Sequence, residues 1–147
     1  MRHLPPRRPA AEAGFTLVEL MVVVVILGLL ATVVMINVLP SQDRAMREKA
    51  KADISTLEQA LDTYRLENLA YPTTEQGLRA LVEPPAGLSR PDRYRQGGYI
   101  RRLPEDPWGN PYQYANPGRQ GRYDVYSFGA DGAPGGEGDG ADIGNWN

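Results

Sequence analysis

The residues from Leu20 to Ile36 carry no charge, and the apolar stretch that contains them runs 25 residues, from Phe15 to Leu39. About 20 such residues span a bilayer as a helix. The run is rich in valine, which in water favours strand. A lone strand cannot satisfy its backbone in lipid, however, and a helix can, so the stretch reads as a membrane-spanning helix. Gly28 and Ala31 are small residues that either admit a neighbouring helix or are ordinary members of such a span. Arg2, Arg7 and Arg8 come before it, and positive residues there hold that end in the cytoplasm and send the rest of the chain outward.

Glu19 sits just inside this run, where an unpaired carboxylate costs several kcal/mol. Two readings follow. In one, the segment is a single-pass anchor whose acid reaches headgroup water near the interface. In the other, cleavage after Gly14 creates an α-amine on Phe15, a counter-charge one helical turn from Glu19. A secretory signal has its apolar core before the cut, whereas here the core follows the Gly14-Phe15 junction and is retained. The stretch Gly14-Phe15-Thr16-Leu17-Val18-Glu19 resembles the processing site of type IV pilins and pseudopilins. That resemblance implies a prepilin peptidase that cuts between Gly14 and Phe15 and methylates the new Phe15 amine. It also implies an assembly role for Phe15, Thr16 and Glu19, with Glu19 meeting the amine of a neighbouring subunit.

The 147 residues leave room for one small domain beside the span, with a formal charge of −2 that becomes more acidic once residues 1–14, with three arginines and Glu12, are removed. Arginines scattered through an acidic product make no basic face for nucleic acid. There is no cysteine, hence no disulfide and no thiolate site, and the one histidine, His3, lies in the leader. A small exported domain without disulfides commonly needs another staple, and a bound metal is one.

Beyond Pro40 the pattern becomes amphipathic. Met46, Ala50, Ile54, Leu57, Leu61 and Tyr64 recur at helical spacing, so residues 40–68 read as the second half of one helix from about Thr16 to Glu67, with that stripe facing its own domain. Tyr71-Pro72 ends the helix, and Thr73-Thr74-Glu75-Gln76 resembles a capping box opening a short helix that carries Leu78, Leu81 and Val82. Residues 86–98 and the proline-rich stretch 103–111 read as irregular backbone. Two strands are expected at Tyr112–Ala115 and Tyr123–Phe128, with Trp108, Tyr112, Tyr114, Tyr126 and Phe128 in the core. The fold class is therefore α+β: a long helix packed against a small antiparallel sheet.

Residues 129–144 combine Asp131, Glu137, Asp139 and Asp142 with many glycines. Such a chain can turn carboxylates and carbonyls inward on one hard cation, and calcium, which takes six to eight oxygens in irregular geometry, suits it better than magnesium. The other reading is a solvated acidic tail. The spacing is not that of an EF-hand.

Beyond the processing site, Tyr71-Pro72-Thr73-Thr74-Glu75-Gln76-Gly77-Leu78, Gly98-Tyr99-Ile100, Leu103-Pro104, Asp106-Pro107-Trp108-Gly109-Asn110, Tyr112-Gln113-Tyr114 and Gly129-Ala130-Asp131-Gly132 through Asp142-Ile143-Gly144-Asn145-Trp146 are similar to the major pseudopilins of the type II secretion system, members of the type IV pilin-like superfamily. The resemblance covers nearly all of residues 15–147. It implies a single-pass inner-membrane protein with a periplasmic domain. It implies, too, a homopolymeric pseudopilus filament built with minor pseudopilins on an inner-membrane assembly platform, driving exoproteins outward without an enzymatic role. It further implies calcium in the C-terminal loop, with Asp131 and Asp142 as side-chain ligands, Asp139 as a carboxylate or carbonyl ligand, and the carbonyls of Phe128 and Ala133 as further ligands. Much of the family has a proline at position 36, around which the helix is locally melted; this chain has Ile36 and Asn37, with Pro40 one turn on. A type IV pilin of a surface fibre, a membrane-anchored calcium-binding module and a calcium-dependent enzyme are the alternatives. The missing cysteine pair and the acidic loop disfavour the first, and the lack of a mature-chain histidine or cysteine disfavours the last.

Overall fold

A computed structural model describes residues 14–147; the expected leader, with Arg2, Arg7 and Arg8, lies almost wholly outside the described residues. One helix, α1, runs from Leu17 to Asn68. Contacts divide the chain between Leu39 and Pro40, at the residue that has no backbone N–H to donate.

In the first unit the apolar side chains from Phe15 to Ile36 are exposed, 86% for Phe15 and about half or more for the rest. This is the one described helix long and apolar enough to cross a membrane. Within this apolar half Thr32 donates to the Gly28 carbonyl (2.9 Å), which satisfies its hydroxyl hydrogen.

In the second unit the expected stripe is buried: Ala50, Ile54, Leu57, Leu61 and Tyr64, joined by Ala60, with Met46 half-buried at its margin. Leu78, Ala80, Leu81, Tyr112, Tyr123, Val125 and Ile143 cover that stripe and complete the core. Each fully buried leucine or isoleucine contributes about 1.5–3 kcal/mol. The helix stops at Asn68, whose side-chain amide donates to the Tyr64 carbonyl (3.0 Å) and the Tyr99 hydroxyl (2.7 Å). Leu69 follows with φ +68°, a left-handed position usually given to glycine.

The capping box forms as expected: the Thr73 amide donates to Gln76 Oε1 (2.9 Å) and the Gln76 amide to Thr73 Oγ1 (3.2 Å). What it opens is a single 3-10 turn, Leu78–Leu81, and not an α-helix, because Pro84 and Pro85 leave no room to continue.

The sheet has three strands: β1 (Gln113–Ala115), β2 (Asp124–Ser127) and β3 (Ile143–Gly144), antiparallel in that order. Tyr126 is opposite Gln113 on one side and Gly144 on the other, and Ser127 is opposite Ile143. Period-two alternation sends Val125 and Ser127 inward and Tyr126 to the other face. The expectation that Tyr126 and Phe128 join the core is therefore corrected. They group instead with Trp146, at ring separations of 5.4 and 5.7 Å from Tyr126, while Tyr112 is in the core and Trp108 and Tyr114 pack against it. Trp146 packs over Gly144: a Cβ there would come within 2.4 Å of the indole, so any larger residue would displace the ring.

Candidate functional site

Two places carry the chemistry expected from the sequence. The first is the start of α1. Glu19 Oε2 accepts from the Thr16 amide (2.9 Å) and from Thr16 Oγ1 (3.2 Å), and Thr16 Oγ1 accepts from the Glu19 amide (3.2 Å). This is a reciprocal capping box, with the carboxylate at the positive end of the helix. Glu19 thus has a partner within its own chain. Phe15, one residue before that amide, is exposed, and Gly14 has open space around it. An α-amine created on Phe15 would arise one peptide unit from the N–H that Glu19 already accepts.

The second place is the acidic loop, pinned at three points. At its start, Asp106 is 4% exposed and folds the Asp106-Pro107-Trp108-Gly109-Asn110 turn around its carboxylate. Oδ1 accepts from the Trp108 and Asn110 amides (3.1 and 2.8 Å) and Oδ2 from the Ser127 hydroxyl (2.6 Å). Ser127 Oγ in turn accepts from the Gly129 amide (3.1 Å), which begins the loop. At its end, Asn145 brackets β2, donating through its amide to the Val125 carbonyl (3.0 Å) and accepting at Oδ1 from the Val125 amide (3.1 Å). In the middle, Arg47 of α1 reaches the carbonyls of Gly138 (3.0 Å) and Ala141 (3.3 Å). Asp106 and Asn145 fall in stretches that the family resemblance marks, but their anchoring roles were not readable from the sequence, because the Asp106–Ser127, Asn145–Val125 and Arg47 contacts join residues far apart in the chain.

Within the loop, Asp131 and Asp142 converge on the adjacent Gly135 and Gly136. Asp142 Oδ2 accepts from the Gly135 amide (3.0 Å), while a Cβ on Gly136 would come within 2.9 Å of Asp131 Oδ2 and 2.4 Å of the Gly140 carbonyl oxygen. Asp131 Oδ1 accepts from the Ala133 amide (3.1 Å). Asp142 Oδ1 is buried with no hydrogen-bond donor. A buried carboxylate oxygen without a donor is costly unless a cation meets it. Among the described residues no three acidic side chains are grouped closely enough to hold a metal, so Asp139, which is exposed, does not complete a triad. Any ion here would take two carboxylates, Asp131 and Asp142, and draw its other oxygens from carbonyls. The Gly140 carbonyl is a candidate that composition alone does not mark, since every residue has one.

A capped, bare apolar helix start ahead of a small α+β domain defines the pilin-like class of filament subunits. Residues 9–35 match the family model of the prokaryotic N-terminal methylation motif. Residues 37–146 match the model described as type II secretion system (T2SS), protein G. The chain is 60% identical over 136 residues to the type II secretion system core protein G of Vibrio cholerae serotype O1, covering 92% of each. To that of Pseudomonas aeruginosa it is 54% identical over 135 residues, covering 92% of this chain and 95% of the other. Among solved structures it is similar to the major pseudopilin from the type 2 secretion system of enterohaemorrhagic Escherichia coli, at TM-score 0.66 and 54% identity, covering 75% of this chain and 94% of that one. The chain belongs to the type II secretion system protein G family, and its role is that of a structural pseudopilus subunit.

Proposed function

We propose that the chain is made as a precursor, cut between Gly14 and Phe15 by a prepilin peptidase, methylated on the new Phe15 amine, and held in the inner membrane with residues 40–147 in the periplasm. Subunits then leave the bilayer into a homopolymeric filament, with minor pseudopilins, on an inner-membrane platform, and the growing filament moves exoproteins outward. The observation that carries this is the stretch of α1 over residues 17–36, apolar but for Glu19 and Thr32 and exposed along its length. Such a surface is stable only in lipid or against other helices. Glu19 moves from one environment to the other by exchanging its Thr16 cap for the Phe15 ammonium of a neighbour, so that its carboxylate accepts hydrogen bonds throughout. The role includes no catalytic step.

The acidic loop would hold calcium through the carboxylates of Asp131 and Asp142, with the carbonyls of Asp139, Phe128, Ala133 and Gly140 as further oxygens. The donor-free Asp142 Oδ1 supports this. When bound, the ion supplies the positive charge that lets the carboxylates face one another, and the chain's own part is to present them. Intact mass of the protein from native membranes tests the processing: loss of residues 1–14 with one added methyl is expected, and an uncut chain would overturn the filament reading. Calorimetric titration of the same purified protein tests the loop, where saturable calcium binding is expected and its absence would remove calcium alone.

A further inference from the structure

Arg47 has acidic neighbours of its own on α1. Asp43 stands four residues before it, at the spacing for a helical ion pair, and Glu48 follows it directly. It forms no ion pair with either. Its guanidinium reaches instead the carbonyls of Gly138 and Ala141, 91 and 94 residues away in sequence. These two carbonyls bracket the 3-10 turn Gly138–Gly140, and the Ala141 carbonyl belongs to the same peptide plane as the Asp142 amide. That amide donates to the Gly135 carbonyl (3.2 Å), and Gly135 donates back to Asp142 Oδ2. Fixing the Ala141 carbonyl therefore fixes the peptide that leads into Asp142, whose Oδ1 is buried without a donor.

We propose that Arg47 is a positioning residue that holds the acidic loop closed before any ion arrives, using its guanidinium as a resident cation on the Gly138 and Ala141 carbonyls. The inference builds on the calcium reading of the loop, but its central claim concerns the metal-free state. Once an ion is bound, its ligands hold the same peptide and the arginine becomes redundant. The charge of Arg47 opposes the ion while its hydrogen bonds pre-order the ligands, so backbone exchange, and not affinity, separates its role from that of the carboxylates.

The test is amide hydrogen exchange of the full processed chain in detergent micelles, in chelator and in saturating calcium, for the natural protein, Arg47→Met and Arg47→Lys. In chelator, Arg47→Met should speed exchange at Ala141 and Asp142 by about tenfold or more, with Arg47→Lys intermediate because an ammonium has donors enough for both carbonyls but lacks the rigid planar group that holds Nη1 on them. In calcium the difference should shrink to about twofold or less. Leu57 and Leu61 amides should be unchanged in every arm. Metal-free exchange at Ala141 and Asp142 within about twofold of the natural protein overturns the proposal, as does equal acceleration at Leu57 and Leu61, which would make Arg47 a general fold residue. If Arg47→Met does not fold, Arg47→Lys alone decides on the same criteria. A natural protein whose exchange ignores calcium removes the ion from the loop and leaves the metal-free comparison to stand or fall by itself.

Discussion

Asp106 accepts three hydrogen bonds in a site that water barely reaches. Replacing it with alanine leaves the Ser127 hydroxyl and two backbone amides without acceptors, and each buried unsatisfied group costs about 1–3 kcal/mol. Asp106→Ala should therefore lower unfolding stability by about 2–4 kcal/mol, read from urea midpoints, and should free the start of the acidic loop. Glu19 allows a finer dissection. Glutamine can still close the capping box on Thr16, so Glu19→Gln keeps the helix start while removing the charge. The variant should insert in the membrane normally, yet yield at least about tenfold fewer sheared filaments, the equivalent of about 1.4 kcal/mol of lost pairing. Filament yield within twofold of the natural protein would mean that the cap is the whole role of Glu19. From sequence, Glu19 was conspicuous because a charge in lipid demands a partner. Asp106 was not, because an acid in a proline-rich stretch looks like any solvated turn residue until its burial is known.

At the scale of elements, α1 was the most legible part of the molecule. Its two faces obey a 3.6-residue period from Met46 to Tyr64, and the structure buries that stripe. The box at Thr73 and Gln76 was equally readable, since its two hydrogen bonds are local. β3 was not: two residues, Ile143 and Gly144, have no alternation to detect, and they form a strand only because Tyr126 and Ser127 lie opposite. The end of α1 carries its own cost. Leu69 occupies a left-handed position with its side chain 70% exposed, so the leucine gains little from packing there. A non-glycine residue in that region costs about 1–2 kcal/mol, partly offset by the extra unfolded-state freedom of glycine. Leu69→Gly should accordingly stabilise the domain by about 0.5–1 kcal/mol, seen as a higher thermal midpoint. No change, or a loss, would show that Leu69 has a contact worth more than its strain.

The whole domain is held by tyrosines to an unusual degree. Tyr64, Tyr94 and Tyr99 meet edge to face, and Tyr71 and Tyr114 flank Tyr123. Burial pushes the hydroxyl of Tyr94 up to about 12, and burial likewise raises Tyr112, Tyr114 and Tyr123, Tyr112 further because its hydroxyl donates to the Asp53 carboxylate (3.0 Å). Each holds its proton more tightly in the folded state than in the unfolded one. Their contribution is therefore complete below the ordinary value of 10 and is lost as pH rises from there through the folded values, about 12 for Tyr94. Stability should be flat from neutral pH to about 9.5 and then fall by up to about 1.4 kcal/mol per pH unit for each tyrosine engaged. Urea midpoints followed alongside tyrosinate absorbance check this; unfolding that precedes tyrosinate formation would place the cause elsewhere.

The chain has two tryptophans, and the fold sets one at each end of the acidic loop: Trp108 in the turn that Asp106 gathers, joined through Ser127 to Gly129, and Trp146 laid on Gly144 just past Asp142. The loop is thus flanked by the chain's two indoles, with neither in α1. Indole emission will report the opening or closing of that loop from both its ends, so the protein can be followed in a membrane, or in a growing filament, without adding a label.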